Sequence, residues 1–337
     1  FDNNRRNNMS ITDGYNILVD GNTFLNAGVD NPNSPGITPG YAIDVEALRG
    51  KDANGEIILW EKAHDITISN NIEQGSKYGA FIVAIGDDTT ITKNTTQGGI
   101  AIGAGARIKI TDNVITANPN DTVGSGITTG HPDSTTTFDN VISGNTIKGY
   151  NIGIAAYTRD TNIFNNTIED FGVGIQPKNI TNMNIYENIF NSSRSTSIGI
   201  FGNVTSMDKV NIYENKIIKV GRESIKIVKV NNNIGQENNL ITIDNNELSI
   251  FTTTLSGSKG IKFTNNKSEK IGIVNSEKIT IGGNTINSNN NHGIEMLSGC
   301  KDINISNNDI SVPENKECIY KKTTDGINIQ VIDNTCN

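Results

Sequence analysis

Residues 303–310 read Ile303-Asn304-Ile305-Ser306-Asn307-Asn308-Asp309-Ile310, a string of the form I-x-I-x-x-N-x-I. The same string returns at Ile108-Lys109-Ile110 before Asn113-Val114-Ile115, and at Ile279-Thr280-Ile281 before Asn284-Thr285-Ile286. A looser copy sets Ile66-Thr67-Ile68 before Asn71-Ile72. Aligned on the recurring asparagine, the chain shows Asn22, Asn71, Asn94, Asn113, Asn145, Asn166, Asn188, Asn215, Asn246, Asn266, Asn284, Asn308 and Asn334. After a longer first gap the spacing is about 18 to 32 residues, the period of a solenoid repeat.

The other half of each repeat is Gly-Ile followed by alternating residues: Gly99-Ile100, Gly126-Ile127, Gly153-Ile154, Gly174-Ile175, Gly199-Ile200 and Gly293-Ile294, with residues 42–46 (AIDVE) in the same place. Both halves alternate apolar with polar, the period of a half-buried strand, and no helical period competes with it. Two or three short strands per turn of about two dozen residues predict an all-β chain, a right-handed parallel β-helix of about 13 coils forming one domain over 1–337. Composition agrees. The 337 residues include 52 Asn and 53 Ile but only 6% aromatics, a surplus that fits short strands and tight turns and excludes a helical bundle. At the bends, Asn tolerates the left-handed conformation, and its amide can bond along a ladder from coil to coil. The alternative is a solvated turn residue.

The net charge of −8 argues against nucleic acid as a partner, because phosphate binding needs a basic face. No apolar run reaches membrane-spanning length, and residues 1–30 hold no charged and then apolar secretion leader. A chain that opens on Phe1 with FDNNRRNN, and has no evident cap helix, is expected to continue beyond Phe1 or to be covered by a neighbouring subunit. Cys300, Cys318 and Cys336 are odd in number, a poor guide to compartment, and are read as late-coil packing or thiols without an assigned role.

Function in a solenoid gathers where insertions interrupt the coils. Two do so here, at 31–64 and 118–137. In the first, Ile43 and Val45 take inward positions, which leaves Asp44 and Glu46 facing out on one face about 6.6 Å apart. Two acids so placed can act as general acid and base, or as acid and nucleophile, on a glycosidic bond. They can equally form a structural cluster with Arg5 and Arg6, or bind a ligand or cation. The second insertion carries Gly130-His131, expected beside Tyr157-Thr158, with Arg159 close by and Lys178 one coil on. His or Tyr as base and Arg or Lys as carboxylate clamp would suit β-elimination or epimerisation of a uronic acid. Trp60, Asp133, Lys178, Arg5 and Arg6 complete the expected substrate-binding set. No cofactor is required; Ca²⁺ is the ion considered, at a turn holding Asp87-Asp88.

Residues 5–28 (RRNNMSITDGYNILVDGNTFLNAG) and 39–47 (PGYAIDVEA) resemble the opening coils of β-helix proteins in phage tail spikes and neck appendages. They are also similar to pectate-lyase-like and mannuronan-epimerase-like helices. The resemblance implies a bacterial surface polysaccharide or teichoic-acid-like glycan as partner, no membrane insertion, a homotrimer and an extracellular or virion-tail location. It matches Asp44 and Glu46 to the family's exposed strand acids. The Tyr-Gly-x-Asp-Pro-His motif of the epimerases is missing, and neither a particle-attachment domain nor a trimerisation region is visible, as expected of an excised central domain. The leading expectation is a tail depolymerase domain that cleaves glycan by hydrolysis or elimination; the alternative is a non-catalytic glycan-binding adhesin or receptor-binding rod.

Overall fold

The computed structural model describes residues 1–30, 35–55, 57–59, 61–118, 124–130, 137–178, 180–203, 207–230, 240–248, 251–322 and 326–337. The fold is all-β: three parallel sheets of 13 strands each form a β-helix of about 13 coils, with a two-stranded hairpin beside them. The chain divides into two compact units, Phe1–Asn162 and Ile163–Asn337.

Each coil contributes one strand per sheet, and alternation buries one face of every strand. In the first unit the first sheet runs through Met9–Ile11, Tyr41–Glu46, Gly79–Ile85, Ile100–Ala104, Ser125–Thr129 and Ile152–Ala156. Ile43, Phe81, Ile100, Ile127 and Ile154 stack in register along it and are essentially inaccessible. Their burial, with the matching columns of the other two sheets, is what holds the coils together, at about 25 cal/mol per Å² of apolar surface.

The asparagine ladder is present. In the first unit Asn71 Oδ1 accepts from the Asn22 N–H, Asn94 Oδ1 from Asn71, Asn113 Oδ1 from Asn94 and Asn145 Oδ1 from Asn113. In the second unit the ladder runs from Asn166 to Asn334 in the same way. One detail of the expectation changes. The left-handed residue at each bend is the one before the ladder asparagine: Asn70, Lys93 and Asp112 have φ of 53°, 56° and 57°. The ladder amide is therefore free to point inward, and its neighbour takes the strain.

Ile72 also differs from the expected alignment. It pairs with Thr95 and faces solvent, while Glu73, paired with Phe24 and Thr96, turns into the core. The residue two after the ladder asparagine is the one that faces inward, and in this coil that residue is a carboxylate.

In the second unit Phe164, Tyr186 and Tyr213 stack with ring centroids 4.8 Å apart at each step. The cysteine reading is corrected here: Cys318 and Cys336 form a disulfide, with Cα atoms 5.9 Å apart, and only Cys300 is a free, buried thiol. The bond ties the strands around Ile327–Ile332, whose Ile327, Val331 and Ile332 are exposed, to the better-buried coil before them. Reduction should speed amide exchange across Ile327–Cys336 and leave the first unit protected; exchange unaffected by reductant in that segment would refute the restraint.

Candidate functional site

The first-sheet strands of the first unit present an outward column, in register, of Asp44, Ile82, Ala101 and Thr128. Ile82, Ala101 and Thr128 are half-buried, as are Ala84 and Gly103 beside them. Small side chains there leave a shallow open floor.

At one end lies the acid pair. Glu46 is held by the Arg6 guanidinium at 3.3 Å and by the Ser10 hydroxyl at 3.2 Å. Asp44 was expected to face solvent, but it is only 2% exposed. Asn7, from the preceding coil, lies over it and donates from Nδ2 to Oδ2 at 3.0 Å, while Asn7 Oδ1 accepts from the Tyr41 N–H. Asp44 Oδ1 is buried without a partner. Burial pushes the Asp44 carboxyl up to about 6, and the negative charge of Glu46 adds to the rise; Asn7 and Arg6 oppose it. As the acid, Asp44 gains a proton to donate, with Glu46 beside it as acceptor. Below about pH 6 Asp44 therefore carries a proton beside the Glu46 carboxyl group. Of the two arginines expected here only Arg6 joins the pair, because Arg5 Nε donates to the Pro35 carbonyl.

Of the other expected residues, Tyr157 and Arg159 follow the strand Ile152–Ala156, four strands along the first sheet from Tyr41–Glu46. Tyr157 and Arg159 lie in the first unit, the Tyr157 N–H bonded to the Thr129 carbonyl and burial raising its hydroxyl pKa. Arg159 is bound to Asp160 at 2.8 Å and covers the Phe138 ring at 4.6 Å. Lys178 belongs to the second unit. His131, Asp133 and Trp60 lie outside the described residues.

Asp87 and Asp88 open the strand Asp87–Thr92, where a turn was expected. Both are engaged: Arg107 forms two bonds to Asp88, at 2.6 and 2.8 Å, and approaches Asp87 at 3.5 Å, while Asp87 Oδ1 accepts from the Ala106 N–H. Arg107 accordingly holds Asp88 below the usual carboxylate range. Among the described residues no three His, Cys, Asp or Glu side chains gather into a metal cage.

Two clefts flank the open floor. One, of about 520 Å³, lies at the strand ends between Ala47, Ala104 and Phe138, with Glu61, His64, Asp87 and Arg107 at its rim. Its lining residues Ala47 and Glu61 flank the antiparallel hairpin Arg49–Lys51 and Ile57–Leu59, closed where Glu61 accepts from the Leu48 N–H. His64 is bonded to Asp65 at 2.7 Å and stacked on Tyr15. The other cleft, of about 370 Å³, is lined by Tyr41, Tyr78, Tyr150, Gln97, Ser125 and Thr128. Sequence reasoning passed over these tyrosines, and over Asn7 and Glu73. Glu73 had a visible signal: it fills the Asn-x-apolar slot taken by Phe24, Ile115 and Ile147 in other coils.

A family model described as "Periplasmic copper-binding protein (NosD)" matches residues 15–221. The uncharacterized protein YclG of Bacillus subtilis (strain 168) is 29% identical over 171 residues, which are 50% of this chain and 28% of YclG. The surface adhesin PfbA of Streptococcus pneumoniae aligns over 96% of this chain and 91% of its own, at 14% identity and a TM-score of 0.51. A mutant tailspike protein of Escherichia coli bacteriophage HK620, in complex with a pentasaccharide, aligns over 95% of this chain and 67% of its own, at 9% identity and a TM-score of 0.58. At these identities the two structures share the fold.

Copper takes imidazole, thiolate or thioether ligands, and the described residues do not offer a set of them. Cys318 and Cys336 are bonded to each other, Cys300 is buried, and Met183, Met207 and Met296 are core residues. His292 is stacked on Tyr320 with its Nδ1 accepting from the Glu317 N–H, and His64 is held by Asp65. The described residues do not fit a copper centre.

Proposed function

The chain belongs to the NosD family, and from that premise we propose that it is an extracytoplasmic protein that binds an uncharged bacterial glycan along the outward face of the first sheet in its first unit. The observation that carries this reading is the open floor of Ile82, Ala84, Ala101 and Gly103, continuous at Thr128 with a cleft lined by tyrosines, an amide and hydroxyls. Concave sites with apolar faces and a few placed polar groups suit a small polar ligand with apolar patches, and a sugar is one. The family description places its protein in the periplasm. The Cys318–Cys336 disulfide agrees with an oxidising compartment.

Charge narrows the glycan. The first unit carries 11 Lys and Arg against 18 Asp and Glu, net −7, and the second 17 against 18, net −1. Among the described residues, four cations of this unit are held by acids: Arg6 by Glu46, Lys77 by Asp30, Arg107 by Asp88 and Arg159 by Asp160. A uronate or teichoic-acid-like polymer would meet repulsion and compete with these pairs, which weighs against β-elimination. The tailspike's pentasaccharide is a saccharide on the same fold and supports the class of ligand.

A second reading, a tail-type depolymerase that hydrolyses the glycan, is favoured by one observation, the raised carboxyl of Asp44 beside the Arg6-bound Glu46. It requires Asn7 to move off Asp44. Incubation with neutral and uronic polysaccharides, followed by co-sedimentation and a reducing-end assay, separates the readings. Binding of neutral glycan without new reducing ends is expected. Reducing ends that vanish in Glu46→Gln would establish hydrolysis instead, and binding confined to uronic polymers would overturn both.

A further inference from the structure

We propose that the 370 Å³ cleft is a subsite for an uncharged pyranose unit, and that Glu73, acting from inside the coil, is the positioning residue that sets its walls. This rests on the glycan reading above and names where one sugar of that glycan sits.

The volume is at the small end of ligand pockets, about 300 to 1,000 Å³, room for a sugar ring or two. The lining matches a pyranose. Tyr78 is 51% exposed and offers an open ring; Tyr150 lies buried with its hydroxyl donating to the Gln97 carbonyl at 2.7 Å; Tyr41 is packed against Gly79. Aromatic faces take the C–H side of a sugar, and Gln97, Ser125 and Thr128 supply donors and acceptors for its hydroxyls. The Ser76 hydroxyl, also in the lining, has no hydrogen-bond partner. Among the described residues no carboxylate lines the cleft, and its lysine, Lys77, is paired with Asp30.

The walls are backbone. A Cβ on Gly98 would fall 2.4 Å from the Ala80 nitrogen, and one on Gly99 would fall 2.4 Å from the Ser125 carbonyl oxygen, so neither position accepts a side chain. Backbone without side chains needs something else to fix it, and Glu73 does so. Its Oε1 accepts from the Ser76 N–H at 3.0 Å, and its Oε2 from the Gln97 and Gly98 N–H groups at 3.1 and 2.7 Å. One carboxylate thus joins the Ser76 wall to the Gln97-Gly98 wall on the next coil. It is 1% exposed, in a column where other coils place Phe24, Ile115 and Ile147. A buried charge is costly unless its hydrogen bonds are satisfied. Phe or Ile would serve the core better, so the exchange is explained by what Glu73 holds on its far side.

The test uses cellotetraose and chitotetraose as neutral probes and tetragalacturonate as the anionic one, measured by calorimetry on the full chain. The wild type should bind at least one neutral probe and not the anionic one. Tyr78→Ala, at an exposed position where folding is not at stake, should weaken that binding at least tenfold. Glu73→Gln places an amide NH₂ against backbone N–H donors, so it should change the ratio of the two neutral affinities severalfold, which a general loss of stability would not do. Leu18→Ala, exposed on the second sheet, should leave binding unchanged. A wild type that binds no neutral saccharide overturns the glycan reading and the subsite together. Neutral binding that is the same in Tyr78→Ala and Glu73→Gln overturns the subsite alone.

Discussion

Replacing Asn113 by Ala should destabilise the first unit by about 3 to 5 kcal/mol. Asn113 is 1% exposed. Its Nδ2 donates to the Ile91 and Thr111 carbonyls and to Asn145 Oδ1, and its Oδ1 accepts from both the backbone N–H and the side-chain amide of Asn94. Alanine removes all five bonds and leaves the Ile91 carbonyl and the Asn94 N–H buried without those partners. A net hydrogen bond is worth about 1 kcal/mol, and each stranded buried group costs about 1 to 3 kcal/mol. Because each coil is stabilised through its neighbours, the loss should appear as a lower denaturation midpoint for the whole unit. Chemical denaturation followed by circular dichroism measures it. A loss below about 1 kcal/mol would mean that the asparagine is only a solvated turn residue.

The second large effect is expected at Asp44 and depends on pH. Its carboxyl is raised from 3.8 to about 6 by burial and by Glu46. An acid whose folded pKa exceeds its unfolded one adds stability when protonated. That contribution is complete below the unfolded value, near pH 4, and is lost as pH rises through about 6. At pH 8 the folded chain holds an ionised, buried Asp44 whose Oδ1 has no partner. Asp44→Asn replaces it with a neutral side chain that can donate toward Glu46. The variant should exceed the wild type in stability by about 2 to 3 kcal/mol at pH 8, since two pKa units correspond to about 2.7 kcal/mol, and should match it within about 0.5 kcal/mol near pH 3.5. Denaturation midpoints at the two pH values test this. A difference that does not change with pH would show that Asp44 stays ionised in the fold.

Much of the fold was legible because the period carries it. Ile at alternate positions and Asn at a fixed offset recur through the chain, and a strand buried on one face needs that alternation. The ladder follows from the repeat alone, since identical amides at identical places must meet between coils. The candidate site was legible only in outline. Glu46 found Arg6, as one alternative anticipated. Asp44 was misplaced because Asn7, which covers it, is 37 residues away in sequence. The lining of the smaller cleft comes from successive coils, so no local spacing reveals it. The Cys318–Cys336 bond joins residues at unlike places in the repeat, where periodicity gives no warning of contact.

The sequence by itself determined the coil, its inward apolar columns and its recurring asparagine, because each depends on residue type at a fixed spacing and is repeated until chance is excluded. Only the tertiary structure decided which side chains are sealed and which are open: that Asp44 is covered, that Glu73 faces inward, that Arg107 neutralises Asp88, and that three tyrosines share a cleft. Those outcomes depend on what the adjacent coil places overhead, and stacking brings together residues whose separation along the chain varies with every insertion.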